Sequence, residues 1–189
     1  NDDILYGGLG DDRLVGARKE PFEDLTGDAE LHGEEGNDLL AGGHNDDLLD
    51  GGEGIDTASY DAADEISGPQ GKSVIVDLVA GTAKRGGETD TLVSIENVFG
   101  SFNNDTITGD GGDNRLEGRG GSDIIKGGAG NDTLLGGTFT DDLDGGEGDD
   151  IVDGGVGTDK VKGGNGNDTL TGGDGNDTMD GGSGTDIMS

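Results

Sequence analysis

An aspartate returns every nine residues over most of the chain, and this spacing is where the sequence could do chemistry. The recurring carboxylates are Asp12, Asp38, Asp47, Asp56, Asp105, Asp123, Asp132, Asp141, Asp150, Asp159, Asp168, Asp177 and Asp186. Ionised carboxylates bind hard cations through oxygen, and adjacent carboxylates can also act as acid and base. Because the same group recurs along the chain instead of appearing once in a cleft, the pattern favours repeated cation binding over catalysis.

Glycines mark the turns around these aspartates. If each aspartate is the sixth residue of a nine-residue unit, the first, second and fourth positions are mostly Gly. Glycine adopts positive φ and lets backbone segments approach closely, so these positions predict tight turns whose carbonyl oxygens can point at a shared ion. The glycines that we place in candidate metal sites are Gly128, Gly130, Gly145, Gly146, Gly148, Gly154, Gly155, Gly157, Gly163, Gly164, Gly166, Gly172, Gly173, Gly175 and Gly181.

The elements that must position these turns follow from the eighth position, which is apolar nearly everywhere. Ten units run without a gap over 100–189, three cover 33–59 and one covers 7–15. One inward side chain per unit, as at Leu134 or Val152, indicates a strand of about three residues. Two units make one circuit of 18 residues, and stacked circuits form parallel sheets on two sides. We therefore predict an all-β fold, a right-handed parallel β-roll or β-solenoid with a thin core.

The composition explains why such a fold needs an ion. The 189 residues include 44 Gly, 43 Asp or Glu and 11 Lys or Arg, the net charge is −32, and 28% of the chain is hydrophobic. Such a chain is either disordered or neutralised by something outside the sequence. Strands stacked about 4.8 Å apart place carboxylates over one another, where two charges repel by about 3 kcal/mol at an effective dielectric constant of about 20. A mixed carboxylate and carbonyl cage suits Ca²⁺ better than Mg²⁺, so we predict multiple Ca²⁺ ions in the turns.

Other classes of function find little support in the sequence. The negative charge repels nucleic acid and anionic lipid, and no apolar run approaches the roughly 20 residues of a membrane helix, so we expect neither nucleic-acid binding nor membrane insertion. There is no Cys, and His32 and His44 stand apart without zinc-ligand spacing. Motifs such as HExxH, GxSxG and a phosphate-binding GKS or GKT are absent, so we expect the chain itself not to be an enzyme.

The repeats resemble the RTX (repeats-in-toxin) family, the haemolysin-type calcium-binding nonapeptide GGxGxDxUx. The cleanest units read GGAGNDTLL, GGEGDDIVD and GGNGNDTLT. The resemblance implies a parallel β-roll with each Ca²⁺ between successive turns on one side. Carried onto this chain, one such site takes Gly146, Gly148 and Asp150 from one turn, and the next turn supplies its part from Gly163, Asn165 and Asp168. It also implies type I secretion from a Gram-negative bacterium and an extracellular or cell-surface location.

Departures from the pattern predict weaker or missing sites. Asn114 replaces the aspartate of one unit, while Phe139 and Asn45 replace the fourth glycine of two others. Between 16 and 32 the repeat degenerates, and we expect a turn without calcium there.

We divide the chain into three regions. Residues 1–59 form an N-terminal repeat block that includes the degenerate turn at 16–32, and residues 100–189 form ten tandem nonapeptides. Residues 60–99 form an insertion without calcium. Its apolar alternation, as at Val74 and Val76, favours wider solenoid turns that let both blocks share one roll, and the alternative is a hinge between two rolls.

The function that we predict is an extracellular Ca²⁺-binding structural module that folds when calcium binds and is not catalytic itself. One alternative is a subunit of a calcium-dependent filament or matrix protein, assembled head to tail through uncapped ends. Another is an accessory or secretion module of a larger secreted enzyme such as a protease, lipase or alginate epimerase. The sequence opens within a unit at Asn1 and closes in register at Ser189, which leaves fragment, processed product and complete subunit all open.

Overall fold

The computed structural model describes residues 4–16, 27–61 and 72–189, and within these ranges every regular element is a β-strand. Part of the predicted degenerate turn, 17–26, and part of the insertion, 62–71, lie outside the described residues. The strands are β1 Ile4–Leu9, β2 Arg13–Val15, β3 Glu30–Glu35, β4 Leu39–Ala41, β5 Leu48–Glu53, β6 Thr57–Ser59, β7 Val74–Asp77, β8 Thr82–Arg85, β9 Glu88–Val93, β10 Asn97–Phe99, β11 Thr106–Thr108, β12 Arg115–Gly120, β13 Ile124–Ala129, β14 Thr133–Thr138, β15 Asp142–Glu147, β16 Ile151–Gly157, β17 Lys160–Asn165, β18 Thr169–Thr171, β19 Asp174–Gly175, β20 Thr178–Ser183 and β21 Ile187–Met188.

Two long sheets take the strands alternately. The first sheet has the order β1-β3-β5-β9-β8-β7-β11-β13-β15-β17-β20, and the second has the order β2-β4-β6-β10-β12-β14-β16-β18-β21 with β19 beside β16. Over the repeats each strand pairs in parallel with the strand one circuit later, so that Ile125 lies opposite Leu143 and Leu143 opposite Val161. This offset of two nine-residue units makes the chain a parallel β-solenoid, and the predicted fold class is confirmed.

The core is a narrow file of eighth-position side chains between the sheets. Leu40, Leu49, Leu134, Leu143 and Leu170 are fully buried there, as are most of their counterparts. A fully buried Leu contributes about 1.5–3 kcal/mol relative to an exposed one, so a core of one residue per unit stabilises each turn only modestly.

The last turn of the roll departs from the predicted inward pattern. Met179 is only partly buried, and Met188 is 53% exposed. Both side chains lie where no later described strand packs against them, so they have partners on one side only.

The turns need glycine where backbone passes close to backbone. Gly148 has φ 126°, and a Cβ on it would collide with the Gly130 carbonyl oxygen of the preceding turn. The fourth position tolerates other residues, since Asn45 and Phe139 both adopt φ 81° there. Those two turns therefore form despite the substitution, and the weaker ion binding that we expect from them stays a prediction.

The insertion changes strand direction inside the first sheet. β7 pairs in parallel with β11, β8 is antiparallel to both β7 and β9, and β9 returns to parallel pairing with β5. On the second sheet β10 pairs directly with β6 and β12, so both sheets continue from the first repeat block into the second. Val74, Val76 and Val98 are fully buried, whereas Leu78 is only partly buried. The three-region division itself stays a prediction.

Candidate metal centres in two carboxylate ladders

The sixth-position aspartates line the two edges where the chain turns between the sheets. The first edge, at turns that lead from the first sheet to the second, carries Asp12, Asp38, Asp56, Asp132, Asp150, Asp168 and Asp186. The second edge, at turns that lead back, carries Asp47, Asp105, Asp123, Asp141, Asp159 and Asp177. Most of these side chains are buried, among them Asp132, Asp150 and Asp168 at 1% exposure each.

Backbone hydrogen bonds hold one oxygen of each carboxylate in place. The Asp132 N–H donates to Asp150 Oδ1 at 2.8 Å, and the Asp150 N–H donates to Asp168 Oδ1 at 2.9 Å. The second edge repeats the arrangement, since the Asp123 N–H donates to Asp141 Oδ1 at 2.8 Å. An aspartate inside a ladder thus accepts from the turn before it and donates to the turn after it, which produces the ladders expected from the 18-residue circuit.

In most of these aspartates the other carboxylate oxygen has no donor among the described residues. Buried Oδ2 atoms without a hydrogen-bond partner belong to Asp12, Asp38, Asp47, Asp56, Asp123, Asp132, Asp141, Asp150, Asp159 and Asp168. A buried polar atom left without a partner costs about 1–3 kcal/mol, and more when it carries charge. A row of such oxygens along each edge therefore indicates binding positions for a cation.

Main-chain oxygens converge beside these carboxylates. A Cβ on Gly154 would lie 2.7 Å from the Gly172 carbonyl oxygen and 2.8 Å from Asp159 Oδ2. Gly145 on the other edge has the same surroundings, namely Asp150 Oδ2 of its own turn and the Gly163 carbonyl of the next. The first-position glycine thus leaves room for two oxygens that a side chain would displace.

Burial and mutual repulsion shape the electrostatics of the ladders. Burial raises the pKa of Asp123 to about 7, and the carboxylates of Asp105 and Asp141 add to the rise. Burial likewise raises the pKa of Asp150 to about 6, with contributions from Asp132 and Asp168. Burial and the neighbouring carboxylates both disfavour the ionised form. A positive charge beside these groups would offset both effects.

The donor set fits Ca²⁺ and fits few other metals. Among the described residues no three or more His, Cys, Asp or Glu side chains come together as a metal cluster. A site here must therefore combine paired carboxylates with carbonyl oxygens, as Ca²⁺ accepts and Zn²⁺ does not. His32 lies instead on the outer face of β3, where its ring stacks on Tyr6 with the centroids 5.1 Å apart.

The predicted glycines fall into two structural groups. Those at first positions, Gly145, Gly154, Gly163, Gly172 and Gly181, lie against Asp Oδ2 atoms of their own units. Those at second and fourth positions lie under carbonyl oxygens of the preceding turn, and they are Gly128, Gly130, Gly146, Gly148, Gly155, Gly157, Gly164, Gly166, Gly173 and Gly175. The assignment of particular glycines as ligands stays a prediction.

The structure also shows ladder members that the sequence analysis missed. The Asp56 N–H donates to Glu96 Oε2 at 2.8 Å, and the Asp47 N–H donates to Asp90 Oδ1 at 3.1 Å. Both acceptors lie in the insertion, where the nine-residue period is lost. An acid two residues before a buried Leu, Val or Ile would have marked Asp90, because Asp90 precedes Leu92 as Asp132 precedes Leu134.

A second, exposed ladder runs along the fifth position. The Asp149 N–H donates to Asn131 Oδ1 at 2.9 Å, and the Asn131 N–H donates to Asp113 Oδ1 at 2.7 Å. Here each N–H donates to the earlier turn, opposite to the direction of the sixth-position ladder. The recurring Asn-Asp pairs of the repeats therefore supply one exposed and one buried side chain to adjacent ladders.

Comparison with known families agrees with this geometry. The model of the RTX calcium-binding nonapeptide repeat matches residues 1–18, 25–58, 99–134, 126–161, 135–170 and 153–188. The unmatched stretch between 58 and 99 contains the antiparallel strands β7, β8 and β9. No curated protein matches the chain. In the described part of the chain no helix is long and apolar enough to cross a membrane. With the nonapeptide matched over most of its length and folded into a parallel β-solenoid, the chain belongs to the RTX calcium-binding nonapeptide repeat family.

Proposed function

We propose that the chain is an extracellular structural module whose folding is switched on by Ca²⁺. The observation that carries this proposal is the row of buried Asp Oδ2 atoms without a donor along both edges of the roll. Burial of the eighth-position side chains favours stacking of the turns. Without a cation the carboxylate oxygens oppose this stacking, because folding removes them from water and brings them close together.

The chain's own residues would hold the ions between successive turns. Asp150 and Asp168 would contribute carboxylates, and Gly146, Gly148, Gly163 and Asn165 would contribute main-chain oxygens. Bound Ca²⁺ supplies the positive charge that the ladder lacks. In the folded roll Asp150 Oδ1 accepts the Asp132 N–H, which leaves Oδ2 to face the ion. Each aspartate touches both neighbouring turns, so folding of one turn prepares the next and the transition should be cooperative.

Circular dichroism of the 189-residue chain tests this function. In chelator we expect mostly coil, and we expect β-structure to appear cooperatively when Ca²⁺ is added but not when Mg²⁺ is added. At low calcium the net charge of −32 favours the unfolded chain, because the negative charges repel one another in the compact state. Strong β-structure in excess EDTA would falsify the proposal and leave a solenoid that needs no metal.

The location of the module follows from the same switch. A chain that stays unfolded at low intracellular calcium could pass through a type I secretion channel of a Gram-negative bacterium and fold outside. Within a larger secreted protease, lipase or epimerase the same roll would act as the accessory module. Secretion of the chain fused to such a channel's substrate signal, with and without intracellular calcium loading, is the measurement that distinguishes a secretion role from a purely structural one.

Head-to-tail assembly is a second candidate, favoured by the strands at the ends of the sheets. β1 and β2 lie at one end of the sheet order and β20 and β21 at the other, and Leu9 and Ile187 there are 81% and 65% exposed. Among the described residues no strand pairs with the outer edges of these end strands, and parallel edges of this kind can add strands from another copy. Electron microscopy in millimolar Ca²⁺ tests it: fibres that EGTA dissolves support the assembly, and short monodisperse rods exclude it.

A further inference from the structure

The second edge contains one turn in which an arginine stands at a ladder position. The turn is 85–90, which stacks on the turn 42–47: the Thr89 N–H donates to Asp46 Oδ1 at 2.7 Å and the Asp47 N–H donates to Asp90 Oδ1 at 3.1 Å. These bonds give Thr89 and Asp90 the fifth and sixth positions of a unit. Five residues before Asp90, where regular units have the first-position glycine, the chain has Arg85.

The Arg85 side chain turns back into the gap between the two stacked turns. It is 7% exposed, its Nη2 donates to the Gly43 carbonyl oxygen, and its guanidinium carbon lies 5.8 Å from the centre of the Tyr60 ring. Burial raises the pKa of Asp47 to about 7 and that of Asp90 to about 6, and the charge of Arg85 opposes the rise at both. A buried positive charge therefore lies among a second-position carbonyl and two ladder carboxylates.

Those groups are the same types that surround the candidate calcium positions elsewhere. We propose that the Arg85 guanidinium takes the place of a Ca²⁺ ion between the turns 42–47 and 85–90, so that the protein itself neutralises this position. Arginine stays charged at all relevant pH values and offers several N–H donors in one plane, which suits a cluster of oxygens. The inference rests on the proposed function, since it takes the remaining ladder positions to be calcium sites.

Two neighbouring residues that depart from the repeat, Asn114 and Ser101, also supply donors to turn oxygens, and their donor groups are neutral. Asn114 keeps the ladder bond to Asp132 Oδ1 at 2.8 Å through its N–H, and its Nδ2 donates to the Glu96 carbonyl oxygen at 2.9 Å. Ser101 donates to both oxygens of Asp105, from N at 2.6 Å and from Oγ at 2.9 Å. At Asp105 and at the Glu96 carbonyl the protein thus supplies N–H and O–H donors of its own, whereas Asp47 Oδ2 and Asp56 Oδ2 keep no hydrogen-bond donor among the described residues.

Ion counting tests the proposal with matched variants. Arg85→Gly restores the glycine of a regular unit, and we expect it to bind about one more Ca²⁺ per chain than the parent in equilibrium dialysis. Arg85→Lys keeps a cation in the gap and should bind the parental number. Lys160→Met removes one positive charge from the exposed outer face, where Lys160 pairs with Asp142, and should also leave the number unchanged. An unchanged count in Arg85→Gly would overturn the proposal.

Terbium luminescence gives a readout tied to this position. The chain has two Tyr and no Trp, so Tb³⁺ excited through tyrosine reports ions near Tyr60 or Tyr6. In Arg85→Gly we expect a gain in sensitised emission over the parent, and Tyr60→Phe in that background should abolish the gain whereas Tyr6→Phe should not.

If Arg85→Gly does not fold, the proposal can still be tested in the parent protein. A large loss of parental Tb³⁺ emission on Tyr60→Phe would place an ion beside Arg85 and refute the proposal; unchanged emission supports it. If the parent binds no Ca²⁺ or Tb³⁺ at any position, the proposed function fails first. If the parent binds ions and Arg85→Gly binds no additional ion, the proposed function stands and only the proposal that Arg85 replaces an ion is refuted.

Discussion

The regular array at 118–188 and the junction at 74–116 stack their strands in the same way but satisfy their turn oxygens differently. In the array, Asp132, Asp150 and Asp168 each keep one buried oxygen without a donor among the described residues. In the junction, Asp105 receives two hydrogen bonds from Ser101. The backbone geometry of a β-roll therefore does not by itself require an ion. The glycine-rich turns of the array supply oxygens and hardly any donors, and we therefore expect the ions there.

The same comparison explains where the family pattern ends. The junction has side chains at some turn-glycine positions, and those of Ser101 and Arg85 contact a ladder oxygen and a neighbouring turn respectively. At the start of the array, Arg119 takes the second position of its unit at φ 73° and pairs with Asp61, and its guanidinium lies 4.6 Å from the centre of the Phe99 ring. Side-chain contacts of this kind link neighbouring turns without an ion, and we expect such turns to depend less on calcium.

The largest effect that we expect is acid-induced folding of the metal-free protein. Burial raises the pKa of Asp123 to about 7 and those of Asp132, Asp141 and Asp150 to about 6, from an ordinary value of 3.8. Because these pKa values are higher in the folded than in the unfolded chain, the protonated carboxyl groups stabilise the fold. This stabilisation is complete below about pH 4 and is lost as the pH rises through about 6 to 7. In metal-free buffer, β-structure should thus increase from pH 8 to pH 5.

The effect of acid should reverse when calcium is present, because protons then compete with Ca²⁺ for the same carboxylates. The Ca²⁺ midpoint for folding should rise between pH 8 and pH 5. Asp123→Asn combined with Asp150→Asn is the matched variant. It removes two carboxylates whose ionisation opposes folding, so the metal-free variant should keep its β-structure to a higher pH than the parent. Identical circular dichroism of the metal-free parent at pH 5 and pH 8 would contradict the ladder electrostatics.

A glycine substitution in the array should cost more than one in the junction. Gly148→Ala places a side chain at φ 126° and against the Gly130 carbonyl oxygen, and strained backbone of this kind costs about 1–3 kcal/mol before the collision is counted. A Cβ on Gly111 meets nothing within 4 Å, so Gly111→Ala should lie within about 0.5 kcal/mol of the parent. Urea unfolding in saturating Ca²⁺ measures both. Equal losses would show that turn geometry does not distinguish the two regions.

The sequence predicts the array well and the junction poorly, for a physical reason. Asp132 and Asp150 could be placed in one ladder because a nine-residue period fixes both the strand spacing and the face of each side chain. Leu134 could be placed in the core by the same rule, and it is fully buried. The periodicity of the sequence does not indicate that β8 runs antiparallel. The direction of β8 depends on the turns at Gly81 and Gly86, which have φ 64° and 60°. Arg85 enters a ladder position only through this reversal, so its spacing along the chain carries no signal.

A smaller difference is expected between two aspartates of the first edge. Asp150 accepts the Asp132 N–H and donates to Asp168, whereas the bond described for Asp12 is its N–H donation to Asp38 Oδ1. Asp150→Ala should therefore leave a buried N–H unpaired, at about 1–3 kcal/mol, and remove a carboxylate from two adjoining candidate sites. We expect Asp150→Ala to raise the Ca²⁺ midpoint more than Asp12→Ala does in a calcium titration followed by circular dichroism. Equal midpoints would refute a shared ladder.

The smallest effects should come from the exposed fifth-position ladder, and they should be alike in both regions. Asn131 Oδ1 accepts the Asp149 N–H at 2.9 Å within the array, and Asn104 Oδ1 accepts the Ser122 N–H at 2.9 Å where the junction meets it. Both side chains are exposed, so water can replace either acceptor and each alanine variant should lose only about 0.5–1.5 kcal/mol of unfolding free energy. Because this ladder crosses the boundary unchanged, the two losses should agree within about 0.5 kcal/mol in saturating Ca²⁺. A much larger loss for Asn131→Ala, accompanied by a higher Ca²⁺ midpoint, would mean that the fifth position also serves the ions, and the contrast between the regions would then extend beyond the buried aspartates.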